Sequence, residues 1–273
     1  MPAEKRYGPR EVTNQQVPNA ARAYDYFLGG SSNFAADRAF AEQLLEISPS
    51  VPAVTRLNRS FLRRVVTFAL DQGVTQFLDL GSGIPTAGNV HEITQQRTPD
   101  SRVVYVDYEP VAFAHAQAML RDDPAAVVIH ADLRNPDQIL DDPELRAVLD
   151  FSRPIALLMV GVLLFVGDED RPADLVATYR DRLAPGSLLA LSHITVDDAD
   201  DELRAEVDRL VGAYRAANEN VYVRTHAEML SWFDGMRLVE PGFVLLPDWR
   251  GDDQGEQRSP ARVLGYGGVG RVL

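Results

Sequence analysis

The sequence predicts an α/β domain: a mostly parallel sheet with helices on both faces, preceded by a helical N-terminal extension. Three observations carry this expectation. Beyond residue 73, short apolar runs alternate with segments of helical periodicity. Two of those runs, Gln76–Leu80 and Arg102–Val106, deliver a carboxylate at their C-terminal ends, Asp79 and Asp107. The first run then breaks straight into Gly81-Ser82-Gly83, where backbone without side chains can turn tightly beside a ligand.

The extension comes first in the chain. Residues 1–18 are polar, with scattered Pro and Gly, and are expected to form a mobile arm. Asn19 to Leu28 is expected to be helical and to stop at Gly29-Gly30. Ala36 to Ile47 forms a second expected helix, closed by Ser48-Pro49. Thr55 to Gln72 forms a third, because Leu57, Phe61, Val65 and Phe68 recur at spacings of four, four and three, and Gly73 ends it. Residues 1–73 are therefore assigned to the extension and 74–273 to the α/β domain, read as one compact unit.

Within that domain the expected elements alternate. Strands fall at Gln76–Leu80, Arg102–Val106, Ala126–His130, Pro154–Val160 and Ser187–Leu191. Helices fall at Thr86–Arg97, Pro110–Arg121 and Arg171–Leu183, with one helix or two short ones at Asp137–Leu149, and Pro110 suits a first helical turn. Right-handed crossovers then fix much of the topology. Asp198–Ala217 carries Leu203, Val207, Leu210 and Tyr214 on one helical face. Thr225–Phe233 opens with Thr225 and Glu228 at capping-box spacing. Phe243–Leu246 and Arg262–Tyr266 are expected to be two last strands, joined by a polar loop.

Composition bounds the function. The 273 residues are 45% hydrophobic, enough for a well-filled core. A net charge of −13 disfavours nucleic acid and anionic membranes as partners over any broad face. The Arg-rich segment Arg56 to Arg64 reads as the wet face of a helix. With no cysteine, thiolate chemistry, disulfides and Cys-based metal sites are excluded, and the five histidines form no His-x-x-x-His pair, so no metal is expected. No apolar run approaches the ~18 residues a membrane span needs, and the first residues do not read as a secretory signal. A cytoplasmic protein is expected.

A glycine loop between a strand and a helix, with an acid on the next strand, marks a nucleoside-binding edge. A nicotinamide dinucleotide site prefers a third small residue where this chain has Thr86, because its pyrophosphate rests on the helix start. S-adenosylmethionine has no pyrophosphate; its loop passes the amino-acid part and the ribose. An acid at the end of the first strand, here Asp79, is common in such sites. Asp107 would then hold the ribose hydroxyls by charge-assisted hydrogen bonds. The third strand's exit, Asp132 and Leu133, would meet the adenine, although Asp132 serves equally well as a cap for the next loop.

Several blocks resemble a known bacterial family of S-adenosyl methyltransferases, formerly a domain of unknown function. They include Ala21-Arg22-Ala23-Tyr24-Asp25-Tyr26-Phe27-Leu28-Gly29-Gly30, Asn58-Arg59-Ser60-Phe61-Leu62-Arg63-Arg64, Gln76 to Glu92, Arg102 to Pro110 and Ala131-Asp132-Leu133-Arg134. Leu183-Ala184-Pro185-Gly186-Ser187 and Val239-Glu240-Pro241-Gly242 extend the match over most of the chain. The resemblance implies a Rossmann-like class I methyltransferase fold, with a seven-stranded sheet ending in an antiparallel hairpin. It implies S-adenosyl-L-methionine as the cofactor and leaves the methyl acceptor, expected to be a small molecule, unnamed. Two departures stand out. Asp107-Tyr108-Glu109-Pro110 replaces the family's Asp-Asn-Asp-Pro, placing Tyr108 where it can stack on adenine. Leu163-Leu164-Phe165 replaces Leu-His-Phe, so a histidine is missing.

In open sheets of this type the ligand lies outside the strands' C-terminal ends. That rule gathers Asp79, Asp107, Asp132, Gly161 and Ser192-His193 around one crevice. Methyl transfer needs alignment above all, and a base only where the nucleophile must lose a proton. His193 is the candidate base. Arg22 and Tyr24 precede the Gly29-Gly30 hinge and are expected to reach the cofactor from a lid that closes the crevice. A cofactor-binding protein without catalysis and a nicotinamide-dependent oxidoreductase are the competing expectations.

Overall fold

The computed structural model describes residues 15–84 and 88–273. Most of the expected N-terminal arm, and Pro85 and Thr86 in the glycine loop, lie outside the described residues.

Three helices precede the sheet: α1 (Ala20–Phe27), α2 (Ala35–Ile47) and α3 (Val51–Asp71). Asn19 caps α1, its side chain accepting from the amides of Ala21 and Arg22. Asp37 accepts from the Phe34 amide at 2.8 Å and fixes the start of α2. α3 begins four residues before the expected Thr55, with Pro52 in its first turn, where a missing N–H costs nothing.

The sheet is built from β1 (Gln76–Leu80), β2 (Arg102–Asp107), β3 (Ala126–His130), β4 (Ala156–Val160) and β5 (Leu188–Ile194), with β6 (Met236–Leu238), β7 (Val244–Leu245) and β8 (Gly265–Val272) added at one side. Helices α4 (Val90–Arg97), α5 (Pro110–Met119), α6 (Pro136–Leu140), α7 (Pro143–Val148) and α8 (Pro172–Arg180) fill the crossovers. The helices α9 (Asp201–Ala216), α10 (His226–Ser231) and α11 (Gln254–Arg258) follow β5. Strand order is β3-β2-β1-β4-β5-β8-β6, with β7 also paired to β8. The first five strands are parallel; β8 runs antiparallel between β5 and β6.

The expected α/β architecture is present, with eight strands in place of seven. The last strand is also displaced from Arg262–Tyr266 to Gly265–Val272. Its glycines explain both the misplacement and the strand. Glycine weakens a strand signal in sequence. Here aromatic rings lie directly on the strand: a Cβ at Gly267 would come within 2.9 Å of the Phe61 ring, and one at Gly270 within 2.8 Å of the Phe233 ring.

Both faces of the sheet are covered, so all five residues of β1 are buried. Leu78, Val104, Leu157 and Tyr179 pack on one face. Phe61, Val65, Phe77, Val103 and Leu158 pack on the other. The second cluster contains α3, so the expected division at residue 73 runs through a continuous core. The helices α1 and α2 sit elsewhere, with Ala23, Phe27, Phe40 and Leu44 packed against Leu210 and Ala213 of α9. They form a roof anchored on α9, above the edge where the parallel strands end. The strand order reverses between β1 and β4, the switch point at which open sheets of this class open a crevice.

Candidate functional site

The glycine loop is fixed by backbone constraints. Gly81 has φ +69°, and a Cβ there would lie 2.1 Å from Val162 Cγ2, so no other residue fits without displacement. Its amide donates to the Val106 carbonyl at 2.8 Å, continuing the β1–β2 ladder past the strand end. The next link is a side chain. Gly83 N donates to Asp107 Oδ2 at 2.7 Å, and Glu109 N donates to Asp107 Oδ1 at 2.9 Å. One buried carboxylate thus holds the loop after β1 and the loop after β2 in register.

Burial pushes the Asp107 carboxyl up to about 6, against the lowering effect of those two amides. Asp79 is pushed up to about 7, again by burial, with the Arg59 guanidinium opposing and the charge of Asp107 adding to the rise. Two carboxylates this deeply buried gain from any positive charge brought into their surroundings.

A cavity of ≈ 120 Å³ opens beside them. Of the residues singled out in the sequence, Asp79, Gly81, Ser82, Gly83 and Asp107 line it. Tyr108, Leu133, Gly161 and Tyr24 line it as well. Tyr108 stands at its rim, half exposed, and burial pushes its phenol up to about 12. Gly161 has φ +68°, and a Cβ there would lie 2.7 Å from Asn58 Nδ2.

Three sequence-selected residues stand elsewhere. Asp132 is absent from the cavity wall; its carboxylate accepts from Arg134 Nε and Nη2. Burial alone would raise its carboxyl, but Arg134 holds it below the ordinary carboxylate range. The Arg134 amide also donates to Asp132 Oδ1, the contact expected of a cap for the next loop.

Arg22 is buried behind the wall. Its Nε donates to Asp37 at 2.8 Å and its Nη1 to Glu109 at 2.7 Å, while Nη2 donates to the Val17 carbonyl. Each of its three guanidinium nitrogens donates to protein, so it ties the roof to the β2–α5 loop, and it is absent from the cavity wall.

His193 lines a second, adjoining cavity. Its Nδ1 lies 2.8 Å from the Ile194 carbonyl and its Nε2 lies 3.1 Å from Arg224 Nη1. Guanidinium can only donate, so Nε2 accepts and Nδ1 carries the proton. Burial pushes the ring down to about 4, and the Arg224 charge adds to that. Both ring nitrogens are occupied, so His193 has no lone pair free to take a proton from an acceptor.

The sequence reading passed over Asn58 and Arg59. Both line the first cavity from α3. Ser192 Oγ donates to Asn58 Oδ1 at 2.5 Å, Asn58 Nδ2 donates to the Tyr24 hydroxyl at 3.2 Å, and that hydroxyl donates to the Thr55 carbonyl at 3.4 Å. This chain joins roof, α3 and β5 across the crevice. A signal existed: Thr55, Asn58, Arg59 and Leu62 fall at i, i+3, i+4 and i+7, a polar stretch at the start of an otherwise buried helix face. His91 is a packing residue, with its amide and Nδ1 both on the Tyr105 hydroxyl.

A sequence model of a family described as S-adenosyl methyltransferase matches residues 7–273. Among solved structures, a DUF574 family protein from Streptomyces avermitilis is 37% identical with a TM-score of 0.89, covering 96% of this chain and 100% of that one. A candidate methyltransferase from Thermobifida fusca is 39% identical with a TM-score of 0.88, covering 97% and 98%. A SAM-dependent methyltransferase from Anabaena variabilis, 13% identical with a TM-score of 0.54 over 94% and 97% of the two chains, shares the fold. No curated protein matches the chain.

Proposed function

The chain belongs to the S-adenosyl methyltransferase family, and we propose that it transfers a methyl group from S-adenosylmethionine to a small-molecule acceptor. The observation that carries this reading is the pair of buried carboxylates, Asp79 and Asp107, at adjacent strand ends beside one cavity with the glycine loop. S-adenosylmethionine is a cationic nucleoside, and it supplies an electrophilic methyl group on a sulfonium. Its charge fits carboxylates that burial has left without full compensation, and its lack of a pyrophosphate fits a loop whose Gly83 amide is already committed to Asp107.

The roles of the chain's own residues follow from their positions. Asp107 keeps lone pairs free beyond its two amide bonds, and these suit vicinal ribose hydroxyls. Asp79 and Arg59 form an opposite-charge pair suited to the ammonium and carboxylate of the methionine part. Tyr108 at the rim and Leu133 on the wall flank the adenine. The roof helices exclude water from the crevice.

Two observations favour the competing reading of a cofactor-binding protein without turnover. His193 is sequestered, and Leu164 stands where the resemblance implies a histidine. An in-line displacement on a nucleophile that needs no proton removed requires neither residue.

Isothermal titration with S-adenosylmethionine, S-adenosylhomocysteine and NAD tests the cofactor class. The first two are expected to bind at one site per chain and NAD to give no heat. Binding of NAD alone would refute the proposal. Methyl transfer to an acceptor, read by mass spectrometry, separates the enzyme from the silent binder.

A further inference from the structure

The cavity that holds His193 adjoins the one at the glycine loop, and the two share Tyr24, Asn58, Gly161, Phe165 and Tyr214. These shared residues form the common boundary of the two cavities. The second cavity also measures ≈ 120 Å³. Its walls are largely apolar, with Val54, Val207, Leu210, Val221, Leu246 and Leu264 contributing.

No carboxylate, ammonium or guanidinium lines it among the described residues. This contrasts with the first cavity, where Arg59, Asp79, Asp107 and Glu109 all appear. Its polar groups are already engaged. The hydroxyl of Ser192, the amide of Asn58 and the hydroxyl of Tyr24 form one hydrogen-bonded chain, and His193 is held between Ile194 and Arg224. A charged group brought here would lose its hydration with no opposite charge to replace it. An apolar group would lose nothing and would displace water from apolar wall.

The contrast assigns different work to the two cavities. We propose that the second cavity is the acceptor pocket, and that it takes the uncharged, mainly apolar end of a small molecule. The pocket selects by excluding charge, and the junction of Tyr24, Asn58 and Tyr214 is where the acceptor's nucleophilic atom meets the first cavity. This assignment rests on reading the first cavity as the cofactor site.

Ligand-observed NMR on the full chain saturated with S-adenosylhomocysteine tests it with three probes of one shape: benzyl alcohol, benzoate and benzylammonium. Benzyl alcohol is expected to bind at least ten-fold more tightly than either ion. Val54→Phe and Val207→Phe, which fill the second cavity from α3 and α9 and do not line the first, are expected to abolish that binding and leave the affinity for S-adenosylhomocysteine unchanged. Equal or tighter binding of an ion overturns the proposal. So does a failure of benzyl alcohol to bind, or neutral-probe binding that survives both fillings. In each of those cases the cofactor reading stands. Failure of S-adenosylhomocysteine itself to bind brings down the cofactor reading, and the acceptor pocket with it.

Discussion

Asp107 does two jobs that substitution can separate. Removing the side chain would free the amides of Gly83 and Glu109, so Asp107→Ala disturbs both loops as well as any ribose contact. Asp107→Asn keeps one acceptor oxygen and removes the charge. Charge-assisted hydrogen bonds contribute about 1.5–3 kcal/mol each, and about 1.4 kcal/mol is ten-fold in affinity. Titration of Asp107→Asn is therefore expected to show at least a ~10-fold loss for S-adenosylmethionine; an unchanged affinity would refute the ribose assignment. Asp79 supplies a pH test. Its carboxyl titrates at about 7, against an ordinary value of 3.8, and that of Asp107 at about 6. Both folded values are raised, so the folded protein holds protons that the unfolded chain releases. Their contribution to stability accordingly falls as pH rises from about 4 to about 7. A cation held in the same cavity is bound better once they ionise. The affinity ratio of the sulfonium ligand to its neutral thioether product is expected to rise between pH 5 and 7.5, and a flat ratio would contradict the placement. The meeting of Asp79, Gly81 and Asp107 at one cavity wall was legible in the sequence because strand and turn chemistry fix their backbone. Arg22 and Asp132 were not, because the answer depended on which neighbour each side chain met.

The roof is the element whose role sequence pattern could only suggest. Its helices were foreseen from the stops at Gly29-Gly30 and Ser48-Pro49 and from apolar spacing. The pattern did not show that Arg22 would be buried between Asp37 of α2 and Glu109 of the β2–α5 loop, at 2.8 and 2.7 Å. Breaking one arm of a buried ion pair leaves an uncompensated charge and costs about 3–5 kcal/mol. Glu109 also caps α5, accepting from the Ala112 amide at 2.7 Å, so the clasp grips the loop that carries Asp107 and Tyr108. Arg22→Ala is expected to loosen α1 and α2 while the sheet remains folded. Limited proteolysis reads this as faster cleavage within residues 15–35. Bound S-adenosylhomocysteine is expected to slow cleavage there in the unaltered protein. Equal cleavage with and without ligand would argue against a roof that closes over the crevice.

At the scale of the whole molecule, the parallel core was legible because each of its strands is buried on both faces and reads as a near-continuous apolar run. The antiparallel margin was less so. Its final strand is glycine-rich, and the contacts that make it a strand come from Phe61, Phe233 and Phe243, distant in sequence. Likewise α3 was assigned to the extension by its position in the chain, while its packing places it in the core of the sheet. That placement brings Asn58 and Arg59 to the crevice from below as Tyr24 arrives from the roof. The fold thus gathers a charged cavity and an apolar one on either side of a single junction. Among the described residues no helix is long and apolar enough to cross a membrane. The most direct measurement is a crystal structure of the protein soaked with S-adenosylhomocysteine. Density is expected in the cavity at the ends of β1 and β2, with the ribose hydroxyls in hydrogen-bond contact with Asp107. A ligand bound elsewhere, or this cavity left empty at saturating concentration, would contradict it.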